Sequence, residues 1–367
     1  MKKQLNRSTP ISILLNIVLI INVLIVLYPV LFTISSSFTL TNSLGATSVI
    51  PFTEEKDEYK KYPCNECDGT GNAYQTVTVS SKDADGKRHV IKGKKLIDCS
   101  FCHGTGERGK LVAKFSIKKP SLWQYRRLLA DSDQLVEHTT VVGGEEVVVT
   151  SHGTNYKTWY FNTLKIACMN TFFTVIICTT AGYIFSRFNF LGRKQIMAGM
   201  IVLQMFPSFI GMVATYVILW KFNALNTLWG LVLVYAAGSI PFNSQLMKGY
   251  FDTMPKDIAE AAYIDGASPL VAYIRVILPA AKPQIVFLTL TSFTGPWMDY
   301  IFPRMVLRSD DKKTLAVGLY EMISGRSNDN FTMFAAGAIL VAVPFAILFV
   351  AGQKSLLQSL AGTSGKE

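Results

Sequence analysis

Two short runs carry the most reactive side chains in the chain. Cys64-Asn-Glu-Cys67-Asp-Gly69-Thr-Gly71 and Cys99-Ser-Phe-Cys102-His103-Gly104-Thr-Gly106 are two copies of one pattern, C-x-x-C-x-G-x-G. Paired C-x-x-C knuckles suit tetrahedral thiolate coordination of zinc, with Cys64, Cys67, Cys99 and Cys102 as the ligands. The glycines permit the tight turn that aims two sulfurs at one metal. Two other chemistries compete with zinc. The thiols would pair as disulfides in an oxidising compartment, or one C-x-x-C pair would be redox-active, although nothing around it resembles a thioredoxin fold. His89 and His103 read as surface residues, because four thiolates already complete a site. Cys168 and Cys178 lie in an apolar stretch and read as small packing residues.

The elements that must hold such residues are set by composition. The chain has 367 residues, of which 50% are hydrophobic and only 17% charged, and its mean hydropathy is +0.29. Soluble globular chains carry roughly 25% charged residues, so these values exclude an ordinary soluble enzyme and a disordered chain and point to a membrane protein. The formal charge of +11 fits a cytoplasm-facing membrane surface or a nucleic-acid partner. The mixed charge of residues 34–160 and their lack of clustered aromatics argue against nucleic acid. No phosphate-binding loop is present: the nearest approach, Gly104 to Leu111, has Leu111 where a Ser or Thr must hold magnesium. The chain is not expected to be an enzyme or to bind ATP itself.

Apolar runs of about 20 residues are long enough to cross a bilayer. Six segments qualify: Ile11–Phe32, Leu164–Phe185, Ile196–Trp220, Leu228–Met247, Ile285–Phe302 and Phe331–Val350. Pro241 is expected to interrupt the fourth, and Gly295-Pro296 to break the fifth. The first run is too long for a signal-peptide core and lacks a clear cleavage site, so it reads as an uncleaved helix. Lys2, Lys3 and Arg7, and then Arg187, Arg193 and Lys194, place both termini in the cytoplasm by the positive-inside rule. The expected architecture is an all-α polytopic membrane protein: residues 1–35 form the N-terminus and first helix, 36–160 an extracytoplasmic segment, 161–353 five further spans, and 354–367 a cytoplasmic tail. Polar residues inside spans mark candidate substrate paths. Asn170, Gln204, Asn243 and Asp299 stand out, with Tyr235, Phe242 and Trp297 nearby as rings that could stack on a sugar. Interhelical hydrogen bonding and packing are the competing uses.

The cytoplasmic loop at 248–284 reads as two short helices. Pro255 suits a first helical turn, and Asp257 and Glu260 lie near the positive end of the helix dipole. Ala261 and Ala262 favour helix, and Gly266 suits the left-handed residue that ends one. Ser268 can cap the second helix with Pro269 in its first turn, and Pro279 should stop it. Glu260-Ala261-Ala262, three residues, Gly266, nine residues, Val276, one residue and Leu278-Pro279 resemble the EAA loop of binding-protein-dependent ABC importer permeases, with Val for the usual Ile. Asn170, Ser186-Arg187-Phe188, Pro296-Trp297-Met-Asp299, Thr314-Leu-Ala-Val-Gly318 and Phe334-Ala-Ala336 are similar to the MalG-like permeases of maltose/maltodextrin and multiple-sugar importers.

The resemblance implies six helices of the ABC importer permease type in the cell membrane. It implies four partners: a separate ATPase subunit that binds ATP, a second MalF-like permease subunit, an extracytoplasmic solute-binding protein, and a sugar substrate. Glu260, Ala261, Ala262, Asp265, Gly266, Leu278 and Pro279 would transmit ATPase closure mechanically; Asn170, Asn243, Trp297 and Asp299 are substrate-path candidates from their place in the spans, although the partner permease alone can hold the sugar. Other solute classes remain open. The family pattern does not account for residues 53–115. Their two cysteine runs resemble the zinc-binding region of DnaJ-type co-chaperones, with strands expected at Thr76–Ser80 and Arg88–Leu96 around Asp85-Gly86. That implies a small β-rich, zinc-ribbon-like insert between the first two spans. A membrane-anchored zinc or thiol module with chaperone-like or redox activity is the alternative from another class, and an EAA loop has no place in it.

Overall fold

The computed structural model describes residues 10–40, 50–63, 70, 72–82, 88–98, 107–117, 120–142, 145–324 and 330–364. The chain divides into two units, Thr47–Lys119 and the combination of Met1–Ala46 with Pro120–Glu367.

The smaller unit is built of antiparallel ladders. β1 (Thr53–Pro63) pairs with β4 (Glu107–Ile117), placing Pro63 opposite Glu107. β2 (Asn72–Lys82) pairs with β3 (Arg88–Asp98), placing Asn72 opposite Asp98. The alternation Thr76-Val-Thr-Val-Ser80 is the period-two signal that favours a strand. The expected strands are present: β2 extends past Thr76–Ser80 at both ends, while β3 starts at Arg88 as expected and runs on past Leu96 to Asp98. Cys64, Cys67, Cys99 and Cys102, with His103 and the Asp85-Gly86 turn, lie outside the described residues.

The larger unit is helical. α1 (Pro10–Ser37) is followed by α2 (Trp123–Leu129), a hairpin of β5 (Leu135–Val142) and β6 (Glu145–His152), and α3 (Tyr156–Arg187). The hairpin is absent from the sequence-based expectation, although Gly143-Gly144 between valine-rich runs is a turn signal. α2 is a short helix whose side chains are largely covered. Trp123, Gln124, Arg127 and Leu128 are all buried, and the helix packs on α3 and on α13 (Phe331–Ser364).

Prolines decide where the remaining helices bend, and not always as expected. The third expected span is split into α4 (Arg193–Gln204) and α5 (Ser208–Lys221), which meet at 106°. Pro207 explains the break, because its ring lacks an N–H and disfavours helical backbone at Phe206. α6 (Leu228–Thr253), by contrast, runs through Pro241 without interruption. The loop then folds as α7 (Asp257–Ile264), α8 (Pro269–Ala272), a π-turn over Tyr273–Ile277, and α9 (Leu278–Ala280). α10 (Lys282–Met298) leaves this loop at 79°. Gly295-Pro296 does not break α10; the helix ends three residues later, at Asp299, and α11 (Ile301–Val306) follows. α12 (Leu315–Ser324) lies between α11 and α13.

Among the described residues, three helices are long and apolar enough to cross a membrane: Ile13–Ser37, Tyr156–Arg187 and Phe331–Gln353. Counting each bent pair as one span raises the number to five. α6 has the length, at 26 residues, but mixes Asn243, Ser244 and Gln245 into its apolar run. Large apolar side chains along α1 face outward, including Val26 at 69% exposure, as a bilayer solvent allows.

α3 packs most extensively on α6. A glycine permits the closest approach: a Cβ at Gly182 would stand 2.6 Å from the Met247 Cβ and 2.9 Å from the Lys248 nitrogen. Gly182→Ala should therefore cost about 1–3 kcal/mol through overpacking and lower the thermal midpoint of the detergent-solubilised protein. Gly199→Ala, on α4 where a Cβ meets nothing within 4 Å, should leave it unchanged or raise it.

Candidate coupling loop and translocation cavity

The loop between α6 and α10 is a helical hairpin with a defined hinge. α7 ends in a left-handed Gly266 at φ 82°. The Ala267 amide donates to the Ala262 carbonyl at 2.9 Å and the Gly266 amide to the Tyr263 carbonyl at 3.0 Å, the paired bonds of a Schellman cap. Ser268 then caps α8, its hydroxyl accepting from the Val271 amide, with Pro269 in the first turn. Pro255 lies before the helix rather than in it: α7 starts at Asp257, with Asp257 and Glu260 in its first turn. The helix does not stop at Pro279 either. The π-turn widens the backbone just before it, with the Leu278 amide bonding to the Tyr273 carbonyl, and the bend falls at Ala281.

One face of the hairpin is fastened to the membrane helices. Ala259, Tyr273, Ile277 and Ala281 share a buried cluster with Cys178 and Tyr183 of α3 and Met247 and Phe251 of α6. The Tyr183 and Tyr273 rings stack at 4.7 Å, and the Tyr273 hydroxyl donates to Thr179. Arg187, at the end of α3, donates to the Phe251 carbonyl at 3.0 Å and the Met254 carbonyl at 2.8 Å. Ser186 donates to Asp252, which also pairs with Lys248. These bonds fix the exit of α6 and hence the start of the loop.

The opposite face is open. Glu260, Ala261, Asp265, Gly266 and Pro279 are exposed, Leu278 is half-buried, and Ala262 is buried. Beside them Ile264 is 86% exposed and Leu270 66%. Neither Ile264 nor Leu270 stands out in the sequence, because an apolar residue on a short helix carries no signal of which face it occupies.

Three of the four substrate-path candidates come together. Asn170 of α3, Asn243 of α6 and Asp299 after α10 line one cavity of about 430 Å³, with Tyr235, Ser239 and Ser292. Asn170 donates to the Ser292 carbonyl at 2.8 Å, Thr174 bonds to Ser239 at 3.0 Å, and Tyr235 donates to Asp299 at 2.8 Å. Trp297 does not line this cavity; it is buried against Tyr160, Phe293 and Phe345. Gln204 is exposed and bonds to its own helix at Met200. Ser239 and Ser292 escape sequence reading singly, but Tyr235, Ser239 and Asn243 recur every four residues, as do Phe287, Thr291, Gly295 and Asp299. That spacing puts each set on one helix face. Of the two cysteines read as packing residues, Cys178 is buried and Cys168 is exposed. Among the described residues no group of three or more His, Cys, Asp or Glu side chains is arranged to hold a metal.

A helical membrane component with a fastened, outward-facing loop between two spans and a polar cavity among its helices is a transporter subunit in form. A family model described as "Binding-protein-dependent transport system inner membrane component" matches residues 178–360. The chain is 42% identical over 214 residues to the maltodextrin transport system permease protein MdxG of Bacillus subtilis, covering 58% of this chain and 77% of that protein. It is 35% identical over 239 residues to the galactooligosaccharides transport system permease protein GanQ of the same organism, covering 65% and 84%. A solved bacterial ABC transporter involved in the import of the acidic polysaccharide alginate shares the fold, with a TM-score of 0.59 at 21% identity over 96% of this chain and 98% of that one. The chain belongs to the family of inner membrane components of binding-protein-dependent transport systems. It is a multi-pass membrane permease component rather than an enzyme.

Two substitutions test the loop. Gly266→Ala forces a Cβ into left-handed backbone at about 1–2 kcal/mol; solute uptake should fall while membrane-inserted protein stays at its normal level. Arg187→Gln removes charged donors from two carbonyls, each worth about 1.5–3 kcal/mol. Uptake per ATP hydrolysed should drop, and faster amide exchange at residues 251–256 should accompany it.

Proposed function

We propose that the chain is a permease subunit of an ATP-driven importer of carbohydrate, maltodextrin or a related oligosaccharide. It works with a separate ATPase subunit, a second MalF-like permease subunit and an extracytoplasmic solute-binding protein. The observation that carries the reading is the hairpin around Gly266, fastened on one face and open on the other, in a chain 42% identical to a maltodextrin permease protein. Glu260, Ala261, Asp265, Gly266 and Pro279 form the surface that receives the ATPase, with Leu278 at its edge and Ala262 packed beneath it rather than exposed on it. Exposed Ile264 and Leu270 add the apolar contact such a joint needs. Asn170, Asn243 and Asp299 line the path. Six crossings follow if α6 and both bent pairs each count as one, with both termini cytoplasmic as the arginines and lysines require.

Affinity purification of this chain from membranes should bring down an ATPase and a second permease subunit. In proteoliposomes, ATP hydrolysis by that complex should rise when the cognate binding protein is added with maltodextrin. Recovery of the chain alone, or stimulation by a non-carbohydrate solute only, would overturn the reading.

We also propose that residues 53–115 form an extracytoplasmic insert whose Cys64, Cys67, Cys99 and Cys102 hold one zinc ion. The support is the strand order. Residues 64–71 and 99–106 each join the β1–β4 ladder to the β2–β3 ladder, and their flanks are register partners, Pro63 with Glu107 and Asn72 with Asp98. Four thiolates supplied by two such runs complete a closed structural site. Elemental analysis of the purified protein should find about one zinc per chain, lost on Cys64→Ser. A metal-free protein whose four thiols react only after reduction would point to disulfides instead.

A further inference from the structure

The cavity among α3, α6 and α10 has a chemistry more specific than that of a generic polar path. At about 430 Å³ it is the size of a small-molecule site. Phe242 is 61% exposed, so most of its ring is left uncovered by this chain. It lies in the cavity lining with Tyr235 and Phe287, so three aromatic rings border the space. The apolar C–H faces of a pyranose ring stack on such surfaces, while its hydroxyls need planar amide and carboxylate partners at the edges. Asn243 and Asp299 supply those partners in the same lining. The Ser292 hydroxyl is buried there and has no hydrogen-bond partner, so a donor and acceptor is held in reserve for a ligand. Asp299 already accepts from the Tyr235 hydroxyl and the Phe302 amide, which fixes the carboxylate's orientation and leaves lone pairs open.

The charge balance narrows the ligand further. Among the described residues of the lining, Asp299 is the only charged side chain, with no lysine, arginine or histidine beside it there. An anionic sugar would meet an uncompensated carboxylate in a site partly shielded from water, where like charges repel strongly.

We propose that this subunit itself grips the passing sugar in this cavity, and that Asp299 makes the subsite selective for neutral oligosaccharides over uronates and sugar phosphates. The proposal rests on the carbohydrate-importer reading and adds where, in this chain, the sugar is touched. Phe242 supplies the stacking platform, Asn243 and Ser292 the edge hydrogen bonds, and Asp299 the acceptor that binds hydroxyls and repels acids.

The test uses the complete transporter in proteoliposomes with its binding protein and a maltotriose carrying a photoactivated diazirine. Irradiation during ATP-driven turnover should attach the probe to peptides of this chain spanning 235–243 or 287–299. The yield should fall about tenfold, one hydrogen bond's or stacking contact's worth, in Phe242→Ala and Asn243→Ala. Gln204→Ala, outside the cavity, should not change it. In a competition assay, Asp299→Asn should lower the excess of an oligogalacturonate needed to compete with the labelled sugar, by about tenfold. Label confined to the second permease subunit, or cavity variants that leave labelling and selectivity unchanged while sugar still drives ATP hydrolysis, would overturn this inference alone. Failure of any sugar to stimulate ATP hydrolysis would instead remove the carbohydrate-importer reading on which it rests.

Discussion

The close packing of α3 on α6 is the contact on which the rest of the permease depends. In a bilayer there is no water to drive helices together, so association relies on small residues and interhelical hydrogen bonds. Gly182 lets the α6 backbone at Met247 and Lys248 come into contact with α3. Thr174 and Ser239 bond across the same seam nearer its middle. At its end Arg187 closes it by holding the Phe251 and Met254 carbonyls. One interface thus builds a wall of the cavity and fixes the departure point of the loop.

The same three helices serve both places. α3 carries Asn170 at the cavity and Tyr183 and Arg187 at the loop; α6 carries Tyr235, Ser239 and Asn243 and ends at Thr253; α10 leaves the loop at its bend and ends at Asp299. From Asn243 to the end of α6 is about 15 Å at 1.5 Å per residue. Under the proposed coupling role, stiff helices of that length would transmit a displacement of the loop directly to the cavity walls. The π-turn at Tyr273–Ile277 sits where such a movement would be absorbed, between the capped α8 and the bend at Ala281. A permease of this kind needs no reactive side chain for its task. The task proposed for it is the coupling of one surface's movement to another's shape.

Local signals carried much of the reading. The Gly266 hinge and the Ser268-Pro269 helix start depend on backbone geometry within a few residues, and the loop adopts both. Prolines were less reliable guides. Pro207 breaks a span, while Pro241 and Pro296 lie inside unbroken helices. The difference arises outside the local sequence: a bundle can re-satisfy a freed carbonyl through neighbouring hydroxyls, and a proline alone does not reveal whether such neighbours exist. Trp297 shows the same limit, since a ring beside a polar residue on a helix reads equally as lining or as packing, and here it packs against Tyr160 and Phe345.

What the sequence determined by itself was the class of molecule and the position and caps of the hairpin loop between α6 and α10. Apolar length, charge bias and short-range capping rules are properties of contiguous residues, and they act before any tertiary contact forms. Only the folded structure decided which polar residues meet. Asn170, Asn243 and Asp299 are spread over 129 positions of chain, and they share a cavity because α3, α6 and α10 pack together. It also decided which face of the hairpin is fastened and which is open, because Ala259 and Ala262 are buried and Ile264 exposed by the helices beneath them. Side chains of similar polarity are sorted to opposite faces by their neighbours in space, and those neighbours are distant in sequence.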